Sequence, residues 1–144
     1  MRRTKRMRPK EVFISHAHQD RTFVAKLTGL LRSHGIRYWY SPRHILGAQQ
    51  WHDEIGKALA RCDWFMVVLS PHAVKSEWVR HECLYALNDS RYVGRIVPVL
   101  YKKCRWRRLS WTLRAFQWVD FSKDTDSARG DLLRTWGIRV MSRQ

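Results

Sequence analysis

The 144-residue sequence predicts an α/β protein organised around a parallel sheet. Short apolar runs rich in β-branched and aromatic residues alternate about five times with stretches of helical periodicity. The connections between them are short, which is the pattern of βαβ units. The run WFMVVLS at 64–70 is the most uniformly apolar of the set, as expected of a central strand covered on both faces.

The elements follow in order. EVFISHA (11–17) is an apolar run ending in polar residues and suits a buried strand. DRTFVAKLTGLLRSHG (20–35) has Asp20 as a candidate cap. Its apolar face is Phe23, Val24, Leu27, Leu30 and Leu31, with Gly35 just past the end. IRYWY (36–40) reads as a second strand, and SPRHILGAQQ (41–50) as a loop. WHDEIGKALARC (51–62) spaces Trp51, Ile55, Ala58, Leu59 and Cys62 helically. Residues 71–88 read as helix broken near Ser76, whose hydroxyl can cap the part that begins at Glu77. RIVPVLY (95–101) and FQWVDF (116–121) are the fourth and fifth strands, flanking an irregular or helical basic segment, and 126–140 is the last helix. Five strands in this length suggest the flavodoxin-like order 2-1-3-4-5 with helices on both faces. Ligands then belong at the carboxyl ends of the strands, near the switch between the first and third.

Composition bounds the rest. The hydrophobic content of 44% and eight tryptophans argue for a packed core in one domain. A domain of this size buries about 68–70% of its unfolded surface. Residues 1–10 read as a basic disordered leader and 11–144 as the folded domain. No apolar h-region follows the leader, and no run approaches the roughly 20 apolar residues of a membrane span. Cys62, Cys83 and Cys104 are widely spaced, with two of them in apolar patterns, so buried free thiols in a cytoplasmic protein are expected. The net charge of +16 is concentrated in the leader (Arg2, Arg3, Lys5, Arg6, Arg8) and in KKCRWRRLSWTLR at 102–114, which carries Lys102, Lys103, Arg105, Arg107 and Arg108. Either cluster could meet a polyanion, or simply be a solvated surface.

Several chemistries are set aside. There is no GxGxxG after the first strand, no GxxxxGK[ST] and no GxSxG. His16 and His18 form an HxH pair without an evident third ligand, so no metal is expected. A phosphoacceptor module would want an Asp ending the third strand, where Ser70 stands. What remains is Glu82, inside the apolar stripe Val79, Cys83, Ala86 and Leu87 of SEWVRHECLYAL. A buried carboxylate is costly, so Glu82 is either a solvated edge residue or part of a cleft that wants negative charge. Trp78 lies one turn before it and can reach the same pocket. A single carboxylate suffices for glycosidic cleavage when the leaving group departs neutral without a proton, as nicotinamide does from NAD+.

Three blocks carry a resemblance. EVFISHAHQD, RYWYSPRHILGAQQWHDEIGKAL and LSPHAVKSEWVRHECLYAL stand in the order of the first box, the BB loop with its following helix, and the S-x-W-x-x-x-E segment of Toll/interleukin-1 receptor (TIR) domains. Together with VPVL and FQWVDF, the chain resembles a TIR domain of bacterial type over roughly residues 11–121. The resemblance implies cleavage of NAD+ to nicotinamide and ADP-ribose or a cyclic isomer, in bacterial anti-phage signalling. NAD+ is then a substrate and no cofactor is needed. Glu82 takes the catalytic position. Ser15, His16, Ala17, Arg43 and Trp78 take substrate-binding positions. Ser41, Pro42, Arg43, His44, Ile45, Leu46 and Gly47 form the BB loop, through which family members self-associate. His44 and Leu46 depart from the bacterial pattern, which often has Asp and Pro there. The contrasting expectation is a non-catalytic adaptor that binds other TIR domains through this loop.

Overall fold

The computed structural model describes residues 8–40, 48–123 and 125–139. The BB-loop residues Ser41, Pro42, Arg43, His44, Ile45, Leu46 and Gly47 lie outside them, as do Arg2, Arg3, Lys5, Arg6 and the side chain of Trp51. Strands β1 (Glu11–Ser15), β2 (Arg37–Trp39), β3 (Trp64–Leu69), β4 (Ile96–Leu100) and β5 (Val119–Asp120) form one sheet. Its order is β2-β1-β3-β4-β5, every neighbouring pair parallel. Helices α1 (Arg21–Ser33), α2 (Ala48–Arg61), α3 (Pro71–Val74), α4 (Glu77–Asn88) and α5 (Thr125–Thr135) connect the strands.

Side-chain alternation along the central strands explains the two layers. Phe13, Phe65, Val67 and Leu69 face α2 and α4, where Ile55, Ala58, Leu59, Val79, Cys83 and Ala86 complete one core. Val12, Ile14, Met66, Val68, Val97 and Val99 face α1 and α5, against Phe23, Val24, Leu27, Leu31, Leu132 and Trp136. With both faces covered, β1 is buried throughout and β3 at all but its first residue, so neither strand shows the polar alternation of a half-exposed sheet. Gly35 ends α1 at φ 69°, a conformation that costs glycine nothing.

Several boundaries shift from the sequence expectation. The second helix starts at Ala48, inside the expected loop, and the fifth strand shrinks to Val119–Asp120. The basic segment forms two short 3-10 turns, Trp106–Arg108 and Trp111–Ala115. Ser76 caps α4 as expected, accepting from the Val79 amide at 3.2 Å. Asp20 does not cap α1; its side chain makes no bond to that helix end. Ser70, the residue after β3, claims it instead.

The carboxyl end of α2 is closed from outside the helix. Its last carbonyls have no intrahelical partner, and two consecutive residues of the turn before β4 supply donors. The Tyr92 hydroxyl donates to the Leu59 carbonyl at 2.6 Å, and the Arg91 guanidinium to Leu59 at 2.7 Å and to Ala60. Asp89 holds that guanidinium at 2.9 Å. Hydrogen bonds from the Arg91 side chain and backbone keep the Asp89 carboxyl below its ordinary 3.8.

Tyr92→Phe is expected to lower stability by about 1 kcal/mol, the net worth of one buried hydrogen bond, read from the urea midpoint at unchanged slope. For Arg91→Ala the pH dependence is diagnostic. A depressed carboxyl pKa stabilises the fold above the unfolded value, and this is lost as pH falls through the folded value. The stability gap between parent and Arg91→Ala should be full at pH 6 and shrink below about pH 4.

Candidate active site

Period-two geometry decides where each strand end points. Phe13 faces α2 and α4, so Ser15, two residues on, faces the same way. There its hydroxyl donates to Glu82 Oε1 at 2.7 Å. Met66 and Val68 face the α1 layer, and Ser70 continues that row toward Asp20, which accepts its hydroxyl proton. The Ser70 oxygen also accepts from the Ala73 amide at 3.0 Å, capping α3. Adjacent parallel strands thus end in two crossed serine–carboxylate pairs, one in each layer.

Glu82 is 3% exposed, so it is no solvated edge residue. It lies among Val79, Cys83 and Ala86, all buried, with α4 packed on β1 and β3. Trp78 is half-buried one turn earlier, against the same core. Its indole meets the His52 ring of α2 at 5.1 Å and the His81 ring at 6.5 Å. His16 is buried, its ring edge-on to Tyr40 at 5.4 Å, and Ala17 is buried beside it. His18 is exposed.

The structure therefore brings Ser15, His16, Ala17, Glu82 and Trp78 to the carboxyl edge of the sheet, beside the β1–β3 switch point. Arg43 lies outside the described residues. Sequence reasoning missed the Ser70–Asp20 pair and His52. For the first pair a signal existed: a serine ending a central strand, whose parity points at the helix that Asp20 precedes. His52 gave none, because its contact with Trp78 depends on how α2 and α4 pack. A cavity of about 170 Å3 lies in the other layer, walled by Phe23, Leu27, Tyr101 and Phe121 with Lys26 and Arg129 at its rim. Among the described residues no carboxylate lines it, and none of its lining residues belongs to the Glu82 cluster.

The buried thiols are not nucleophiles. Burial first, then the neighbouring Glu82 charge, pushes the Cys83 thiol far up. Burial and the Glu11 charge raise Cys62 to about 12. Both are free thiols, as is the half-buried Cys104.

A parallel sheet of order 2-1-3-4-5, with two buried serine–carboxylate pairs at its carboxyl edge, defines a flavodoxin-like domain. A sequence model of the TIR domain matches residues 12–134, and the chain belongs to that family. The NAD(+) hydrolase PdTIR of Paracoccus denitrificans is 35% identical over 97 residues, covering 65% of this chain and 32% of that protein. The 2′ cyclic ADP-D-ribose synthase BtTIR of Bacteroides thetaiotaomicron is 29% identical over 73 residues, covering 50% and 25%. The chain thus spans about a third or less of the length of the curated relatives it matches. Among solved structures, the TIR domain of the Toll-related receptor TRR-2 from Hydra magnipapillata superposes with a TM-score of 0.68 at 24% identity, covering 85% of this chain and 94% of that one.

Ser15→Ala is expected to destabilise the fold by about 1–3 kcal/mol, the cost of depriving a buried acceptor of its donor. In a Glu82→Leu background the same change should cost little. Denaturant unfolding of the four proteins of that cycle measures the coupling directly. Under native conditions a thiol-alkylating reagent should label Cys104 well ahead of Cys62 and Cys83, with all three labelled after denaturation. Peptide mass mapping reads the order.

Proposed function

We propose that this chain cleaves NAD+ at the bond between nicotinamide and ribose, with Glu82 as the catalytic carboxylate. The observation that carries the reading is the Ser15–Glu82 pair. It is a carboxylate held inside an apolar helix stripe, at the sheet edge where ligands bind in this fold. The names of relatives that share up to 36% identity with it support the substrate.

In the reaction the C1′–N1 bond breaks and its electron pair leaves with nicotinamide, which departs neutral. Positive charge develops on the ribose ring, and the Glu82 carboxylate stabilises it. Water then attacks C1′ and yields ADP-ribose and a proton, or a hydroxyl of the ADP-ribosyl moiety attacks and yields a cyclic isomer and a proton. Ser15 is a positioning residue in this scheme. Its hydroxyl fixes one carboxylate oxygen and so aims the other. His16, Ala17 and Arg43 complete the substrate contacts, and Trp78 offers an indole face beside the carboxylate that governs water access to C1′. Assembly with other copies through residues 41–47, a cytoplasmic location and a role in bacterial immune signalling belong to the same proposal. So does contact of the basic clusters with a polyanion.

Nicotinamide release from NAD+ by purified protein, over a concentration series beside Glu82→Gln, tests the proposal. Gln retains an acceptor for Ser15, so the fold should persist while the rate falls about 100-fold or more. Ser15→Thr should restore much of the kcat lost in Ser15→Ala, with KM little changed. Trp78→Ala should shift the ratio of cyclic to linear product. No release from the folded parent at any concentration, with Arg43→Ala or Gly47 changes abolishing homotypic binding, would establish the adaptor role instead.

A further inference from the structure

The sequence carries two basic clusters, and the one at 102–114 lies wholly within the described residues. Parallel strands place the residues just before β1 at one end of the sheet and those just after β4 at the other. Arg8 accordingly bonds the His34 carbonyl at the amino edge. Residues 102–114 leave the carboxyl edge, the one that holds Glu82. The segment after β4 is therefore taken on its own.

That segment is a built surface. Leu109 and Leu113 are buried in the core shared with α2 and α4, and Cys104, Trp106, Phe116 and Trp118 pack half-buried on it. The Trp106 and Trp118 rings meet edge to face at 4.9 Å, and the Trp118 indole N–H donates to the Leu113 carbonyl at 2.8 Å. The outer side carries Lys102, Lys103, Arg105, Arg107, Arg108 and Arg114, all exposed. No Asp or Glu occurs anywhere from Ser90 to Val119. Among the described residues, none of these six cations has a carboxylate within 4.0 Å. In their midst Trp111 is 75% exposed, although its neighbours in the same turn anchor the backbone.

We propose that this face binds single-stranded nucleic acid, with the six cations tracking phosphates and Trp111 providing the platform on which a base stacks. Each part of the surface answers one part of such a strand. Phosphates need a row of unpaired cations, and an unpaired base offers its flat face to an exposed indole. Duplex DNA hides its base faces in the stack and would leave Trp111 unused. An anionic membrane would want an amphipathic helix with a broad apolar face, whereas this segment is two short 3-10 turns with one large exposed apolar side chain. The inference is independent of NAD+ cleavage, since none of its residues belongs to the Glu82 cluster.

The test is fluorescence anisotropy of labelled dodecamers of thymidylate and uridylate with the full chain, across a salt series. Binding should weaken with salt at a log–log slope of about −0.7 per phosphate contacted. Trp111→Ala should cost roughly 5- to 150-fold in affinity, the range of one base–aromatic stack, and leave the salt slope unchanged. Trp111→Phe should recover most of that loss. Combined Lys103→Glu, Arg105→Glu and Arg108→Glu should abolish binding, while Arg2→Glu, Arg3→Glu and Arg6→Glu together should change it less than about threefold. Circular dichroism melting checks that each variant remains folded, which the exposure of every altered strip residue favours. The proposal is overturned by any of four results: no binding at low salt, an unchanged affinity in folded Trp111→Ala, dependence on the leader alone, or tighter binding to duplex DNA or phosphatidylserine vesicles.

Discussion

The hydrogen bond from Ser15 to Glu82 is the interaction on which the rest of this site depends. It is short at 2.7 Å, fully buried, and joins residues 67 positions apart. A carboxylate in an apolar interior is tolerated only with donors aimed at it, so the bond fixes where α4 can lie on β1. With α4 so placed, Trp78 falls against the core beside His52, and α2 and α4 share one layer. The Ser70–Asp20 pair does the same for α1 in the other layer. Two serines at the ends of neighbouring strands thus clamp the sheet between its helices at its carboxyl edge.

That arrangement opposes maximal stability. A leucine at position 82 would extend the stripe of Val79, Cys83 and Ala86 and remove the desolvation cost of a charge. The effect of the charge is visible next door, where it helps to push the Cys83 thiol upward. Position 82 thus departs from the apolar rule of its own helix and is held by a donor from another element, a local inconsistency of the kind that the proposed catalytic role would account for.

The layers were legible because the evidence for them is local. The unbroken apolar run of β3, the spacing in α1 and α4 and the glycine after α1 each report a backbone state without reference to neighbours. Glu82 was legible for the opposite reason, as a violation of local pattern. The ends of elements were less so. The start of α2 and the shortened β5 depend on where tertiary contacts release the chain, and Asp20 was misread because a capping residue and a buried acceptor look alike until Ser70 is brought beside it. Trp111 was equally hidden. Its spacing among Trp106, Leu109 and Leu113 does not distinguish the aromatic that packs from the one that faces outward.

Charge segregation links the two surfaces of the carboxyl edge. Twelve acids against 28 basic residues leave the chain positive everywhere on average, but averages steer nothing. A field does so only where like charges cluster within a Debye length, about 8 Å at physiological salt. The segment 102–114 meets that condition, since its six cations have no acid among them. It follows β4, so it shares the sheet's carboxyl edge with Ser15, and it packs in the layer that holds α4. An anion drawn to this edge arrives at the end of the sheet that holds the Ser15–Glu82 pair. The same fold that assigns ligands to the ends of parallel strands has therefore put a cluster of like charges at those ends, where the proposed anionic dinucleotide and polynucleotide would be attracted by one potential but held by different side chains.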